Sequence, residues 1–382
     1  MLFQTPELTE PELRVIAAIG DVAEKLRLRL YEPHRWSGSL RRAQFARAVQ
    51  GSNSIEGFDA ALDDAAAIEL GEDPLDADEE TRRAIRGYCD ALTYVLQMST
   101  EPDFHYGEQL LKSLHFMMTS YDLKNRPGLW RAGAIFVRNE ESGDIVYEGA
   151  DIDDVPALMH ELVGNLNVSS DCPPLVHAGM AHLNLVMVHP FRDGNGRMAR
   201  CLQTLVLARE GILSPVFCSI EEYLGRNTLD YYKVLTEVGH GSWQPDSDAR
   251  PWVRFILTAH LRQARTTLLR IKESERLWEY LEKLTEQHGV PQRTLPILYD
   301  AAMKFRVRNS TYRAILEETD EGITEQAASR DLKQLTDAGL LIAHGEKRGR
   351  FYTASKELMG LRERIAAARD VRDDSDPFAP LA

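Results

Sequence analysis

The chain has 382 residues, with 45 Lys plus Arg against 59 Asp plus Glu and a formal charge of −14. Hydrophobic residues make up 43%, with 25 Gly and 17 Pro, which excludes collagen-like and low-complexity chains and suits a globular protein of two or three domains. The acidic balance opposes nucleic acid at long range, although it leaves room for a small basic face. No apolar run reaches the roughly 18 residues of a membrane span. The start, Met1 to Leu13, carries Pro6, Pro11 and three Glu and lacks the basic and apolar parts of a signal peptide. Cys89, Cys172, Cys201 and Cys218 show no CxxC spacing, so a cytoplasmic chain with reduced thiols is expected.

Apolar positions at three-to-four spacing predict helices over 12–31, 39–50, 79–99 and 107–119. The acidic run Glu72 to Glu80 is expected to be a solvated loop. Pro127-Gly128 breaks the helical series. Ala134 to Arg138 and Ile145 to Tyr147 then flank the polar turn Asn139-Glu140-Glu141-Ser142-Gly143-Asp144, a predicted hairpin. Helical signals return at 151–167, 173–188, 197–210, 227–238 and 250–270. A domain boundary is expected between 270 and 292. Beyond it, Thr324 caps a helix that Gly339 stops, and Leu340 to Ala343 and Arg350 to Thr353 flank a Gly-rich turn. That order predicts a winged helix. The acidic tail Asp370 to Asp376 is expected to be a solvated segment or a frayed terminus.

The most informative stretch is His189-Pro190-Phe191-Arg192-Asp193-Gly194-Asn195-Gly196-Arg197-Met198-Ala199-Arg200. It joins two apolar helices by a sharp turn that Gly194 and Gly196 permit. Such a turn delivers unpaired N–H groups at a helix N-terminus, which binds anions. Arg197 and Arg200, three residues apart, suit a polyphosphate. Asp193 offers a hard oxygen of the kind that bridges Mg2+ to substrate phosphates. His189 supplies a base largely neutral near pH 7. Together these are parts for attack by a hydroxyl on a nucleotide phosphate.

This segment resembles the motif of the Fic family, His-x-Phe-x-Asp/Glu-Gly-Asn-Gly-Arg-x-x-Arg, and matches it at every fixed position. Fic enzymes transfer AMP from ATP to protein hydroxyls. The resemblance covers residues 10–265 and takes in Pro127 to Arg131, the hairpin, and Tyr231-Tyr232. It implies a mainly α fold, a Fic-type helical core with a β-hairpin flap, followed here by the winged helix. It implies His189 as general base, Asp193 holding Mg2+, and a phosphate cradle of Gly194, Asn195, Gly196 and the following turn through Met198 and Ala199. Arg197 and Arg200 would complete the clamp, and Tyr232 would lie beside the base of ATP. The flap would pair with an extended segment of the target protein.

The segment Ser52-Asn53-Ser54-Ile55-Glu56-Gly57 resembles the family's inhibitory pattern, Ser/Thr-x-x-x-Glu-Gly/Asn. The resemblance implies that Glu56 pairs with Arg200 and takes the charge that would orient the ATP γ-phosphate. The expected organisation is an N-terminal helical region with this motif (1–110), the catalytic core (111–270), and a linker helix, winged helix and acidic tail (271–382). The expected function is an autoinhibited protein adenylyltransferase, a nucleotidyltransferase acting on Ser, Thr or Tyr of another protein or of itself.

Three rivals stand beside it. A metal hydrolase would need His177, His182 and His189, whose spacings do not share one helical face. A DNA-binding regulator would use the winged helix, but residues 324–356 hold only six basic against four acidic side chains. A Fic enzyme with another nucleotide, or one that removes AMP, would keep the same phosphate site. A homodimer and a DNA partner stay open.

Overall fold

The computed structural model describes residues 1–31, 34–138, 142–168, 171–211, 219–317, 321–369 and 373–380. Asn139, Glu140 and Glu141 of the expected turn, Cys218, and Asp370 to Arg372 of the tail lie outside the described residues, as does the side chain of Arg348. The fold is mainly α. Its first half holds α1 (Glu10–Tyr31), α2 (Ser37–Ser54), α3 (Leu62–Glu69), α4 (Glu79–Met98) and α5 (Glu108–Thr119). A hairpin of β1 (Phe136–Arg138) and β2 (Ile145–Glu148) follows, antiparallel as expected. Then come α6 (Val155–Asn167), α7 (Pro174–Val188), α8 (Asn195–Arg209), α9 (Glu221–Arg226) and α10 (Thr228–Gly239). The chain continues through α11 (Arg250–His288), α12 (Leu295–Ala302), α13 (Asn309–Glu317) and α14 (Glu325–Asp337). Strands β3 (Leu341–His344) and β4 (Phe351–Ala354) pair antiparallel, and α15 (Lys356–Ala367) follows.

Two apolar cores organise these elements. The first runs from Leu2 to Leu261 and is centred on α7 and α8. Every residue of α7 from Ala178 to Val188 is buried, which an all-round apolar helix requires. The second core gathers α12 to α15 with Val22, Leu26, Trp36 and Leu40 from the N-terminal helices. Helix α11 belongs to both: Ile256, Leu257 and Leu261 enter the first core, Ile271, Leu277 and Leu281 the second. The helix expected at 250–270 therefore continues to His288, where Gly289 ends it at φ 62°. The order helix, helix, helix, hairpin is present over 295–354, with Thr324 accepting a bond from the Ala327 N–H and Gly339 at φ 73°.

In the first acidic stretch Asp73, Asp76, Asp78, Glu79 and Glu80 are exposed as expected, and Glu72 is the exception. Glu72 is not solvated: Arg308 reaches its carboxylate at 3.0 Å and the Thr311 hydroxyl donates to it at 2.6 Å. The buried Arg306 reaches Asp64 at 3.2 Å and the Asp73 carbonyl at 2.9 Å. This seam ties α3 to the loop before α13. In the tail Asp373 to Asp376 are exposed as expected, while the residue that docks lies just beyond them. Phe378 packs on the first core under the Arg254 guanidinium, 5.1 Å from its ring, and Asp373 pairs with Arg265 at 2.7 Å.

Helices α2 and α9 cross at two glycines. A Cβ on Gly51 would fall 2.5 Å from the Glu221 carbonyl oxygen, and one on Gly225 would fall 2.7 Å from the Gly51 carbonyl oxygen. Their backbones touch, and this contact sets the C-terminal end of α2 where Ser52 and Glu56 face α8.

Candidate active site

Val188 closes α7, and His189 follows in the left-handed region at φ 54°. Arg131 holds this corner. Its Nε donates to the His189 carbonyl at 2.8 Å, its η1 nitrogen to Gly133 O at 2.7 Å, and its η2 nitrogen to Ala150 O. The His189 Nδ1 lies 2.9 Å from the Val186 carbonyl. A carbonyl only accepts, so Nδ1 carries the hydrogen and Nε2 keeps its lone pair. Burial pushes the His189 pKa down, against the pull of the Val186 carbonyl and of Glu56. The hairpin abuts this ring: a Cβ on Gly149 would lie 2.7 Å from Ile135 Cγ2 and 3.1 Å from His189 Cβ.

The loop beyond His189 is stapled from inside. Phe191 stacks on His115 at 3.7 Å between centroids and leans on Trp130 at 4.8 Å. The Asn195 side chain accepts from the Phe191 N–H and donates to the Phe191 carbonyl, both at 2.9 Å. The amide oxygen and one amide N–H are thus held by the loop, and the main-chain N–H stands at the start of the helix for an anion. His115 accepts from the Gly128 N–H at Nδ1 (2.8 Å) and donates from Nε2 to the Asp193 carbonyl (2.9 Å). Gly194 turns the chain at φ 75°, where a Cβ would sit 2.9 Å from Thr119 Cγ2.

Helix α8 then begins. Its ladder opens with the Met198 N–H donating to Gly194 O at 3.0 Å. The N–H groups of Asn195, Gly196 and Arg197 precede that ladder and have no acceptor within the helix. Met198 and Ala199 turn their side chains into the core, so the open donors lie ahead of them. Asp193 stands at the rim, 42% exposed, with Oδ1 accepting from the Gly194 N–H at 2.7 Å. Its Oδ2 faces Asn125 at 3.4 Å and Arg197 at 3.7 Å.

Both motif arginines are buried. Arg197 bonds the Tyr121 hydroxyl at 3.3 Å and lies 5.0 Å over the Phe58 ring. Arg200 donates from Nε to Ser52 Oγ at 2.8 Å and from its η2 nitrogen to Ser52 O at 2.9 Å and Glu56 Oε1 at 2.7 Å. The η1 nitrogen of Arg200 has no hydrogen-bond partner among the described residues. Burial alone would raise the Glu56 carboxyl, but Arg200 and then Arg197 outweigh it and hold it low. Burial would lower Arg200, and Glu56 reverses that. The carboxylate lies against the first turn of α8: a Cβ on Gly196 would fall 2.4 Å from Glu56 Oε1.

The tyrosine pair divides as its helical position requires. Tyr231 is 1% exposed, whereas Tyr232 is 45% exposed and donates to Ile55 O at 3.0 Å, tying α10 to the segment that follows α2. Ser52, Phe58, Tyr121, His115 and Thr119 line the site from outside the His189–Arg200 segment. Ser52 alone had a signal, as the first residue of the Ser-x-x-x-Glu pattern.

His177, His182 and His189 are not brought together as metal ligands. His182 is enclosed in a chain of bonds running Tyr231, His182, Gln203, His260, at 2.9, 2.6 and 3.0 Å. Among the described residues no group of three or more His, Cys, Asp or Glu could hold a metal ion. Burial pushes His182 and His260 down to about 3 and His115 to about 4. The unfolded chain binds these protons near pH 6.5, while the native state refuses them until far lower pH. The stability present above pH 6.5 should therefore drain as pH falls, by about 1.4 kcal/mol per unit for each of these groups. Urea unfolding at pH 7, 6 and 5 checks this, and a midpoint constant across that range counts against it.

Residues 105–207 match the model of the Fic/DOC family. The chain carries a Fic domain. The protein adenylyltransferase Fic of Nematostella vectensis is 34% identical over 113 residues, which are 27% of this chain and 24% of that protein. Caenorhabditis elegans protein adenylyltransferase fic-1 is 40% identical over 83 residues, 22% of this chain and 14% of that protein. The chain thus spans a quarter or less of the length of these curated relatives. A Fic family protein from Desulfovibrio desulfuricans G20 superposes with a TM-score of 0.58 at 22% identity, covering 92% of this chain and 98% of that one. Fic-1 of C. elegans gives 0.54 at 22% identity, covering 69% and 73%. These likenesses give the Fic fold. Within this Fic domain, the α7–α8 corner and the hairpin beside it form the candidate site.

Proposed function

We propose that this chain is a protein adenylyltransferase that moves AMP from ATP to a Ser, Thr or Tyr hydroxyl, held in check by Glu56. The observation that carries the reading is the His189 ring, its Nε2 lone pair left available by the Nδ1 bond to Val186, beside the open first turn of α8. In the reaction the target oxygen attacks the α-phosphorus, the bond from that phosphorus to the bridging oxygen of the β-phosphate breaks, and pyrophosphate leaves. The hydroxyl proton passes to His189 Nε2. The N–H groups of Asn195, Gly196 and Arg197 face the phosphates, and the two arginines neutralise them. Mg2+, entering with the nucleotide, would offset phosphate charge. Asp193, a half-exposed carboxylate at the mouth of the cradle, fits as its single protein ligand. Tyr232 is the half-exposed aromatic that would meet the base. The exposed Phe136, Ile145 and Val146 of the hairpin suit a target segment lying along it.

We assign residues 1–110 to inhibition, 111–270 to catalysis, and the 295–354 helices and hairpin to a winged-helix module. Incubation with labelled ATP, GTP, CTP and UTP, then mass spectrometry, tests the reading: added AMP is expected on protein from ATP alone. Absence of any nucleotide on protein, also in the Glu56 variant discussed below, would overturn it. The clamp also predicts that ATP raises the melting temperature more than AMP does at equal concentration, since only ATP engages the β- and γ-phosphate contacts and so binds more tightly. Equal shifts would show that Arg197 and Arg200 do not hold a polyphosphate.

A further inference from the structure

On the far side of α2 from Glu56 lies a second cavity, of about 430 Å3, with no part in the Fic motif. Four elements bring arginines to it: Arg47 from α2, Arg226 from the end of α9, Arg270 from α11, and Arg362 and Arg369 from α15 and the residues just after it. Two glutamates answer five guanidinium groups. Glu222 takes Arg270 and Arg226, each at 2.6 Å, and Glu273 takes Arg369. Arg47 and Arg362 have no carboxylate within bonding distance among the described residues. Both are half-buried, and burial with nearby arginines lowers both, Arg47 to about 10.

In a chain of net charge −14, such a cluster is not a by-product of a basic surface. Glu222 and Glu273 favour Arg47 and Arg362 from a distance, yet keeping two guanidinium groups with no bonded carboxylate out of bulk water is unfavourable. An anion bridging them removes that cost, and guanidinium forks match phosphate oxygens. Leu40, Leu277, Met303 and Ile365 give the cavity an apolar wall and Gln44 and Ser274 a polar one, so there is room for an organic group beside the charge. Arg226 is 54% exposed and marks an open entry.

We propose that this cavity is a binding site for a small organic phosphate of the nucleoside di- or triphosphate class, separate from the active site. Arg47 and Arg362 grip the phosphates, and the organic part lies against the apolar wall. The site needs none of the residues assigned to AMP transfer, so it stands or falls apart from that reading.

The test is hydrogen exchange read by mass spectrometry on the full chain, with inorganic pyrophosphate, ADP and adenosine as probes. Pyrophosphate and ADP should slow exchange in peptides covering 40–47 and 356–369, in wild type and equally in Arg197→Ala. Adenosine should do nothing there. In Arg47→Gln with Arg362→Gln the affinity read from this protection should drop tenfold or more, while any protection over 194–200 stays. Arg362→Lys, which keeps the charge but loses the fork, should fall between them. If the double variant folds poorly, the two single variants and Arg362→Lys carry the comparison. Protection by pyrophosphate or ADP confined to 194–200, or protection of 356–369 that the arginine variants do not change, would overturn the proposal. Stronger binding of pyrophosphate than of ADP would assign the site to the phosphate alone and remove the nucleoside from it.

Discussion

His189→Ala is expected to abolish AMP transfer while leaving ATP binding nearly intact, because the base acts on the incoming hydroxyl and not on the nucleotide. A positioned general base contributes on the order of 10²–10⁴-fold, so the loss should at least span that range. The pH profile adds a finer check. Burial holds the His189 pKa below the ordinary imidazole value, so Nε2 keeps its lone pair to more acidic pH than a free histidine. The acid limb of kcat/KM should therefore lie below about 6.5. Labelled ATP with the Glu56→Gly protein supplies a measurable rate for both experiments. Turnover of His189→Ala near that of its parent would remove the base, and an acid limb above 7 would remove its desolvation. Asp193→Ala is a different kind of change and should weaken Mg–ATP binding.

How far the sequence carried this site follows from where each contact partner sits. The segment from His189 to Arg200 is contiguous, so its turn, its glycines and its arginines were legible together. So was the hairpin, whereas the burial of Tyr231 beside the exposed Tyr232 is seen only in the structure, where adjacent helical positions point about 100° apart. The corner that holds the histidine was not legible, because Arg131, His115 and Tyr121 come from 58 to 78 positions upstream. Helix α9 spans six residues, too short for any periodicity, and its place depends on Gly225 meeting Gly51. Within the acidic run Glu72 departs from the expected solvated loop because its partner, Arg308, lies far along the chain, and local charge cannot announce it. The helix beginning at Arg250 was cut short for a related reason. A change of domain suggests a break, yet here one helix supplies apolar residues to both cores.

Glu56→Gly should raise AMP transfer, including transfer to the protein's own exposed hydroxyls. The carboxylate sits 2.7 Å from the Arg200 guanidinium, against the first turn of α8 where a nucleotide phosphate would lie. On the proposed reading it would oppose ATP twice, by satisfying the arginine and by placing a negative charge beside the open N–H groups. Tyr232 and Phe58 brace it there, the one through Ile55 O and the other against Arg197. A charge-assisted bond to a buried arginine is worth roughly 1.5–3 kcal/mol, so its release should mean about ten- to a hundredfold in correctly aligned ATP. The same change leaves Arg200 with Ser52 alone, so the protein should become less stable as it becomes more active. That opposition of signs separates inhibition from scaffolding, since a scaffold residue would lose both together. Glu56→Gly with Arg200→Ala should lose the gain, because the freed guanidinium is its cause. Mass spectrometry for added AMP, with melting curves on the same samples, decides it. A folded Glu56→Gly protein that binds ATP and transfers no faster than wild type would end the inhibitory role of Glu56.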